Sequence, residues 1–340
     1  MMLNTNLHKY LFMSMLISST LFSISTNSWV NMWLGMEINL ISFIPQMLSS
    51  NNSLTSESMM KYFLIQSLGS LNFLFVIFFK NILNKWFFTN FLNSLMIIIL
   101  NLTLIMKMGA APFHFWYPKV MKGLSWMNCF ILSTWQKIIP LMILSYCLIP
   151  KLMYMSIMLS TIVGSVMGLN QSNLKMIMTY SSINHIGWLI SAIMINYSLT
   201  IIYLMNYILL SYILMKFFNQ MNLFHIMQIF SLKMSFLSKM LILINFISLG
   251  GIPPFLGFIP KWMIINYFMI NKIYFIIFCM ITMALLNLFY YLRIFFLSMM
   301  IHSFQLKWMK TKNFKFYSLL MMTYISISSL IMISFLYQMT

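Results

Sequence analysis

Negative charge is nearly missing from this chain. Its 340 residues include two acidic side chains, Glu37 and Glu57, and no aspartate. Charged residues of both signs make up 6%, against 61% apolar, and the mean hydropathy is +0.90. That balance excludes an ordinary soluble domain and identifies a polytopic membrane protein. Cysteine is scarce as well. Cys129, Cys147 and Cys279 fall inside apolar runs with no short spacing, which supports neither a disulfide framework nor an iron–sulfur or zinc site. The five histidines, His8, His114, His185, His225 and His302, show no paired spacing within a helix, which argues against haem ligation. Neither a strand nor a GxGxxG accompanies Gly250-Gly251, so no dinucleotide fingerprint is present. The net charge of +18 comes from basic residues scattered singly between apolar runs. They form no basic face, which sets nucleic acid aside as a partner. No cleavable signal is evident, because no small-residue cleavage site follows the first apolar run.

What is present is equally biased. There are 39 methionines, and Ile, Phe, Asn, Lys and Tyr are common, whereas Arg293 is the single arginine. This usage suits an AT-rich gene read with a mitochondrial code, in which an extra codon specifies Met. The expected location is therefore the mitochondrial inner membrane.

A membrane-crossing helix needs ~20 apolar residues. Eleven such spans are expected, at about 10–26, 29–48, 59–79, 87–121, 125–148, 152–170, 174–195, 199–219, 239–271, 273–299 and 317–338. The fold class is all-α, a single transmembrane domain over 1–340. Two spans are too long for one straight helix. The segment 87–121 is interrupted at Gly109-Ala110-Ala111-Pro112, and 239–271 at Gly250-Gly251-Ile252-Pro253-Pro254. Proline removes a backbone donor and clashes with the preceding turn, so each site should break its helix. A broken helix at membrane depth needs protein or a watery cavity to satisfy the freed backbone groups. The breaks fall in the fourth and ninth spans, an odd number apart, so the two copies cross the membrane in opposite directions. Matched interruptions of this kind point to inverted repeats. The repeats are expected over about 10–148 and 152–299, with 317–338 as an appended C-terminal helix.

Basic residues orient the chain. The side holding the N-terminus would carry Lys9, Lys61, Lys119, Lys122, Lys175, Lys216, Lys233, Lys239, Lys307, Lys310, Lys312 and Lys315. The other would carry Lys80, Lys85, Lys151 and Lys272. Positive charge accumulates on the side of insertion. The N-terminus is thus expected on the matrix side and the C-terminus on the intermembrane-space side.

Four charges stand inside the apolar spans: Glu37, Lys107, Lys137 and Lys261. A central lysine costs ~2.5–3.5 kcal/mol on insertion, so three cost roughly 8–10 kcal/mol. Intramembrane ionisable groups therefore point to proton or ion pathways. Lys137 lies about twelve residues from either end of its span, or roughly 18 Å, too far for its stem to reach the interface. Ser133 and Thr134 precede it by one turn, and Pro140 loosens the backbone nearby. Lys107 stands just before the first break with Thr103 one turn behind it. Lys261 follows the second break in Pro260-Lys261-Trp262. Trp33 shares a helix face with Glu37. His185 sits mid-span beside Ser181 and Ser182, and His114 lies in the first break; both read as possible relay groups. Burial disfavours the charged form of a lysine, and a nearby carboxylate favours it. Moving Glu37 or its waters relative to Lys107 would switch that lysine between proton loading and release. Each charge moved against 100 mV costs ~2.3 kcal/mol. With no nucleotide, flavin or metal motif in the chain, a partner must supply that energy.

Several stretches resemble a known family: Asn27-Ser28-Trp29 to Pro45, Lys107 to Trp116 through Gly109-Ala-Ala-Pro112, Ser133-Thr-Trp-Gln-Lys137, Ser181 to Trp188, and Leu249-Gly-Gly-Ile-Pro253-Pro254 to Trp262. They resemble the chain 2 family of animal mitochondrial NADH:ubiquinone oxidoreductase, antiporter-like membrane subunits of complex I. The resemblance covers nearly the whole chain. It implies two inverted five-helix repeats, each with a broken helix, and the loss of three N-terminal helices found in bacterial counterparts. It also implies proton translocation, with Glu37 as the key glutamate, Lys107 and Lys137 as channel lysines, Lys261 on the exit side, and His114 and His185 as relays. Partners would be other membrane-arm and accessory subunits of complex I, lipids, water and protons. NADH, flavin (FMN), iron–sulfur clusters and ubiquinone would bind elsewhere, leaving no cofactor in this chain. Nothing is carried over to 301–316. Two other readings stay open on the residues alone: a stand-alone cation/proton antiporter subunit and a purely structural membrane subunit.

Overall fold

The computed structural model describes residues 2–48, 52–85, 90–230 and 236–300, together with Thr323. The expected eleventh span at 317–338 lies outside the described residues except for that threonine. Among the described residues all regular structure is helical. The chain divides into two compact units, one ending at Leu159 and the other beginning at Ser160.

The first unit contains α1 (Met2–Ser25), α2 (Trp29–Met47), α3 (Ser53–Lys85), α4 (Asn90–Met108), α5 (Trp116–Gly123) and α6 (Trp126–Ser133). A 3-10 turn (Trp135–Lys137), α7 (Ile138–Ser145) and the start of α8 (Pro150–Leu169) complete it. α1 and α2 approach through small residues. A Cβ on Gly35 would lie 2.6 Å from the Ser23 Cβ. Ser19 and Ser23 donate to carbonyls of their own helix, Leu16 O and Thr20 O, so their polar atoms are satisfied at this close contact.

The first expected break is present between α4 and α5, and local chemistry explains it. Gly109 takes a left-handed φ of 74°, its N–H bonds Met106 O, and the Ala110 N–H reaches back to Ile105 O. This pair of bonds is a glycine C-cap, which closes the carbonyl end of a helix. Proline follows at 112. The second break, in the other unit, repeats the device. Gly251 has φ 84°, and its N–H bonds Ile247 O and Ser248 O.

A third interruption departs from the expectation of one continuous helix over 125–148. That segment splits into α6, the 3-10 turn and α7. Pro140 is the third residue of α7, inside a first turn where a missing N–H costs nothing. It therefore marks a helix start and does not merely loosen a helix that continues. On the other side of the gap, Phe130 O accepts from the Thr134 N–H at 3.1 Å, the Thr134 hydroxyl at 2.7 Å and the Ser133 hydroxyl at 3.0 Å. Lys137 consequently sits in the turn between two half-helices, not in mid-helix.

The second unit contains the rest of α8, then α9 (Leu174–Ile195), α10 (Tyr197–Met221), α11 (Ile226–Phe230), α12 (Phe236–Gly250), α13 (Phe258–Ile270) and α14 (Tyr274–Met300). α9 is its central element, buried around its circumference from Ser181 to Ile193. Its polar residues, including Ser181, Ser182, Asn184 and His185, therefore face protein. Arg293 of α14 donates to Leu169 O at 2.8 Å and Gln171 O at 3.3 Å. It neutralises the carbonyl end of α8, the site a helix dipole favours for a cation.

Five stretches among the described residues are long and apolar enough to cross a membrane: Ser53–Lys80, Trp126–Ser145, Pro150–Leu169, Tyr197–Met221 and Tyr274–Phe296. The chain is thus a multi-pass all-helical membrane protein.

Candidate functional site

In the first unit the candidate residues gather around the first break. Lys107, in the last turn of α4, is buried to 7% exposure. The stem crosses α3 at Gly69, where an added Cβ would lie 3.1 Å from Lys107 Cγ. Its ammonium reaches the Met36 sulfur at 3.5 Å, at the negative end of the α4 dipole. Carbonyls at the end of α4 also take donors from side chains. Gln66 donates to Lys107 O at 3.1 Å, and the Trp116 indole donates to Met106 O at 3.1 Å. That is the satisfaction a broken helix requires at membrane depth.

Lys107 opens onto a cavity of about 20 Å³, lined also by Met36, Asn39, Leu40, Tyr62, Gln66, Gln136, Ile139 and Pro140. This volume and its polar rim suit a water molecule. Gln136 ties three elements together there. It donates to Asn39 Oδ1 at 2.8 Å and accepts from the Tyr62 hydroxyl at 3.3 Å. Gln136 immediately precedes Lys137, so the amide bridge joins the helix carrying Glu37 to the turn carrying Lys137. Asn39, Tyr62, Gln66 and Gln136 were absent from the residues expected from sequence. The available signal was a lone amide or phenol inside an apolar run.

Glu37 is half-buried on α2, next to the Met36 that touches Lys107. Among the described residues the ion pair is Lys61–Glu57, exposed on α3. Trp33 turns its indole N–H away from Glu37, to Ser70 O at 3.1 Å. Lys137 is 2% exposed, and its ammonium stands 5.5 Å from the centre of the Tyr117 ring. That ring packs against Gly109, where a Cβ would meet it at 3.1 Å. Break, ring and ammonium therefore form one stack, with a cation–π contact worth up to ~2 kcal/mol when desolvated. His114 lies in the break and is buried. Its Nδ1 has no hydrogen-bond partner among the described residues. Thr103 donates to Leu100 O and does not reach Lys107.

In the second unit Lys261 packs against α9, the helix that carries His185. The Lys261 ammonium donates to Gly250 O at 2.9 Å and Leu249 O at 3.3 Å, and lies 5.6 Å from the Trp188 ring centre. The lysine thus caps the carbonyl end of α12 from across the second break. His185 shares a hydrogen bond of 2.8 Å between its Nδ1 and the Tyr203 hydroxyl, and packs 4.9 Å from the Tyr207 ring. Ser181 and Ser182 donate to their own helix, at Met178 O and Thr179 O. Among the described residues no cluster of His, Cys, Asp and Glu could hold a metal ion.

Gly251 permits the Lys261 contact twice over. Its φ is left-handed, and a Cβ there would stand 3.0 Å from the Lys261 nitrogen. Gly251→Ala is expected to cost ~1–2 kcal/mol in backbone strain alone, with the ammonium pushed from Gly250 O in addition. Gly251→Asn, which tolerates the left-handed region, should recover the strain but not the contact. A thermal-melting series on the three proteins checks this; equal midpoints for glycine and alanine would refute it.

The chain is similar to known proteins over most of its length. The family described as NADH:quinone oxidoreductase/Mrp antiporter, TM, matches residues 26–287. NADH-ubiquinone oxidoreductase chain 2 of Anopheles gambiae is 45% identical over 335 residues, covering 96% of this chain and 97% of the relative. The chain 2 protein of Aedes aegypti is 44% identical over 332 residues, covering 96% and 97%. Among solved structures, a chain of respiratory complex I from Thermus thermophilus with bound aureothin has the same fold. Its TM-score is 0.83 at 20% identity, covering 95% of this chain and 78% of that one. This chain therefore belongs to the NADH:quinone oxidoreductase/Mrp antiporter membrane family and, within it, to the NADH-ubiquinone oxidoreductase chain 2 group.

Proposed function

We propose that the buried charges of this chain move protons across the inner mitochondrial membrane. The chain is a membrane-arm subunit of respiratory complex I, the proton-translocating NADH:ubiquinone oxidoreductase. The observation that carries the relay is the pairing of two deeply buried ammonium groups, Lys107 and Lys137, with a polar cavity at the first and a break at each. Purely structural cations would be costly to keep dry, since burying an ion costs several kcal/mol. Half-helix ends, ring faces and an adjacent water site hold them while leaving them able to exchange a proton.

In this reading Glu37 governs Lys107 from α2. With the carboxylate close, the ammonium keeps its proton; with the carboxylate neutralised or displaced, the proton passes to water in the cavity and on towards Lys137. His114 serves the first break and His185 the second, where Lys261 releases towards the far side. The driving energy comes from electron transfer to ubiquinone in other subunits, which hold NADH, FMN and the iron–sulfur clusters. Eleven spans in two inverted five-helix repeats, N-terminus in the matrix, complete the proposal. Support comes from the two glycine–proline breaks five spans apart and from the lysine-rich N-terminal side.

Lys107→Met tests it in assembled complex I reconstituted into proteoliposomes. Fewer protons moved per NADH oxidised is the expected outcome. An unchanged ratio at normal assembly would show that the lysine is structural.

A further inference from the structure

Aromatic rings from α2, α3 and α5 form a buried column beside the first break. Phe43 meets Tyr62 edge to face at 5.3 Å between centroids, Tyr62 meets Trp116 at 6.1 Å, and Trp116 meets Tyr117 edge to face at 5.5 Å. Rings attract one another in such tilted and edge-on arrangements, because the face carries negative charge and the edge positive. The column is also tied down at its polar atoms. The Tyr62 hydroxyl donates to Gln136 Oε1 at 3.3 Å, and the Trp116 indole donates to Met106 O at 3.1 Å, in the last turn of α4.

Tyr117 is the terminal ring, 1% exposed. On one side it lies against Gly109, where an added Cβ would stand 3.1 Å from Cδ2 and 3.2 Å from Cγ. On another it carries the Lys137 ammonium, 5.5 Å from its centre, within the range of a cation–π contact. The chain neighbours of Lys137 direct their donors elsewhere. Ser133 and Thr134 donate to Phe130 O, and Gln136 donates to Asn39 Oδ1. The second unit contains the same three parts. The Lys261 ammonium lies 5.6 Å from the Trp188 ring centre, beside the left-handed Gly251. The Trp188 indole N–H has no partner among the described residues, so its ring face is what it offers the lysine.

We propose that Tyr117 is a positioning residue for Lys137: its braced ring face seats the ammonium against the first break and sets the rate at which that lysine turns over. A seat of this kind suits a proton carrier. A carboxylate would bind the ammonium strongly and through one fixed geometry, whereas a ring face attracts it without taking up its hydrogens. Rigidity comes from the column, as a functional side chain requires of its supports. The inference rests on the proton-translocation reading of this chain.

The test measures coupled NADH oxidation with ubiquinone in assembled complex I carrying Tyr117→Leu, Tyr117→Phe, Lys137→Met, or Tyr117→Leu together with Lys137→Met. Tyr117→Leu keeps an apolar side chain but removes the ring face, and should slow turnover by about 10- to 30-fold, the rate equivalent of a desolvated cation–π contact. Tyr117→Phe keeps the face and should recover most of that loss. In the Lys137→Met background, Tyr117→Leu should cost nothing further, because no ammonium is left to seat. Normal turnover with leucine, phenylalanine as slow as leucine, or losses that multiply in the double variant would each overturn the proposal and leave the wider reading standing. No loss with Lys137→Met alone defeats the wider reading itself. Should Tyr117→Leu fail to assemble, a density map of the unaltered complex decides the matter. The Lys137 ammonium is expected within about 6 Å of the Tyr117 ring centre; a side chain turned away from the ring would overturn the proposal.

Discussion

Lys137→Met leaves complex I assembled but slows its coupled turnover by about 10²-fold, the low end of what a positioned proton-transfer group contributes. Assembly should survive because methionine matches the lysine stem in length. Replacing a buried ion by an apolar group of similar volume is often neutral or stabilising by ~1–4 kcal/mol. The substitution also removes the cation–π pair with Tyr117, worth up to ~2 kcal/mol, so the two effects roughly offset. Lys137→Arg separates charge from proton exchange. Arginine keeps the positive charge but does not release its proton. The arginine variant is therefore expected to be about as inactive as the methionine one. Rates of NADH oxidation with ubiquinone, with and without uncoupler, check this; full activity in the arginine variant would mean that only a fixed charge is needed.

Gly257→Ala is expected to be severely damaging. A Cβ at Gly257 would lie 1.9 Å from Ser248 O and 3.0 Å from the Ser248 carbonyl carbon. The opposing atoms are backbone, so no rotamer relieves the overlap. Either α12 or the start of α13 must shift, and the second break with it. Overpacking typically costs ~1–3 kcal/mol, and a backbone overlap of this depth belongs at or above the upper end. That is a large share of the ~5–15 kcal/mol by which proteins are stable. Sharply reduced assembled complex on native gels is the expected result. Gly250→Ala is the control, because its Cβ would meet Leu288 and Tyr291 at an ordinary 3.5 Å. That variant should be harmless or gain ~0.5–1 kcal/mol by removing a helical glycine. Equal yields of the two variants would contradict the packing described for the second break.

Much of the fold was legible because its interruptions are written in residues with few alternatives. Gly109 and Gly251 hold left-handed backbone, and prolines follow both. The third interruption was harder to read. Pro140 stands in an apolar run where a kink and a helix start look alike. Only in the folded chain do Ser133 and Thr134 close off α6 before the proline. Four charges in apolar spans identified Lys107, Lys137 and Lys261 as buried, since the cost of dehydrating them is high enough to imply a purpose. Glu37 is half-buried and makes no direct ion pair with a lysine among the described residues, because Met36 and not Glu37 is the α2 side chain that touches Lys107. The amide bridge through Gln136 was invisible for a different reason. It joins residues 39, 62 and 136, which only tertiary packing brings together. Neutral polar residues carry too little insertion cost to stand out as the lysines do.

The central claim is that Lys107 and Lys137 are titratable groups joined by water inside the hydrocarbon layer. A density map of the assembled complex in lipid, at a resolution that shows individual waters, tests it most directly. Ordered water is predicted in the cavity formed by Lys107, Gln66 and Gln136, continuing to the Lys137 ammonium above Tyr117. A dry gap between the two lysines, or either ammonium lying in the headgroup layer, would contradict it.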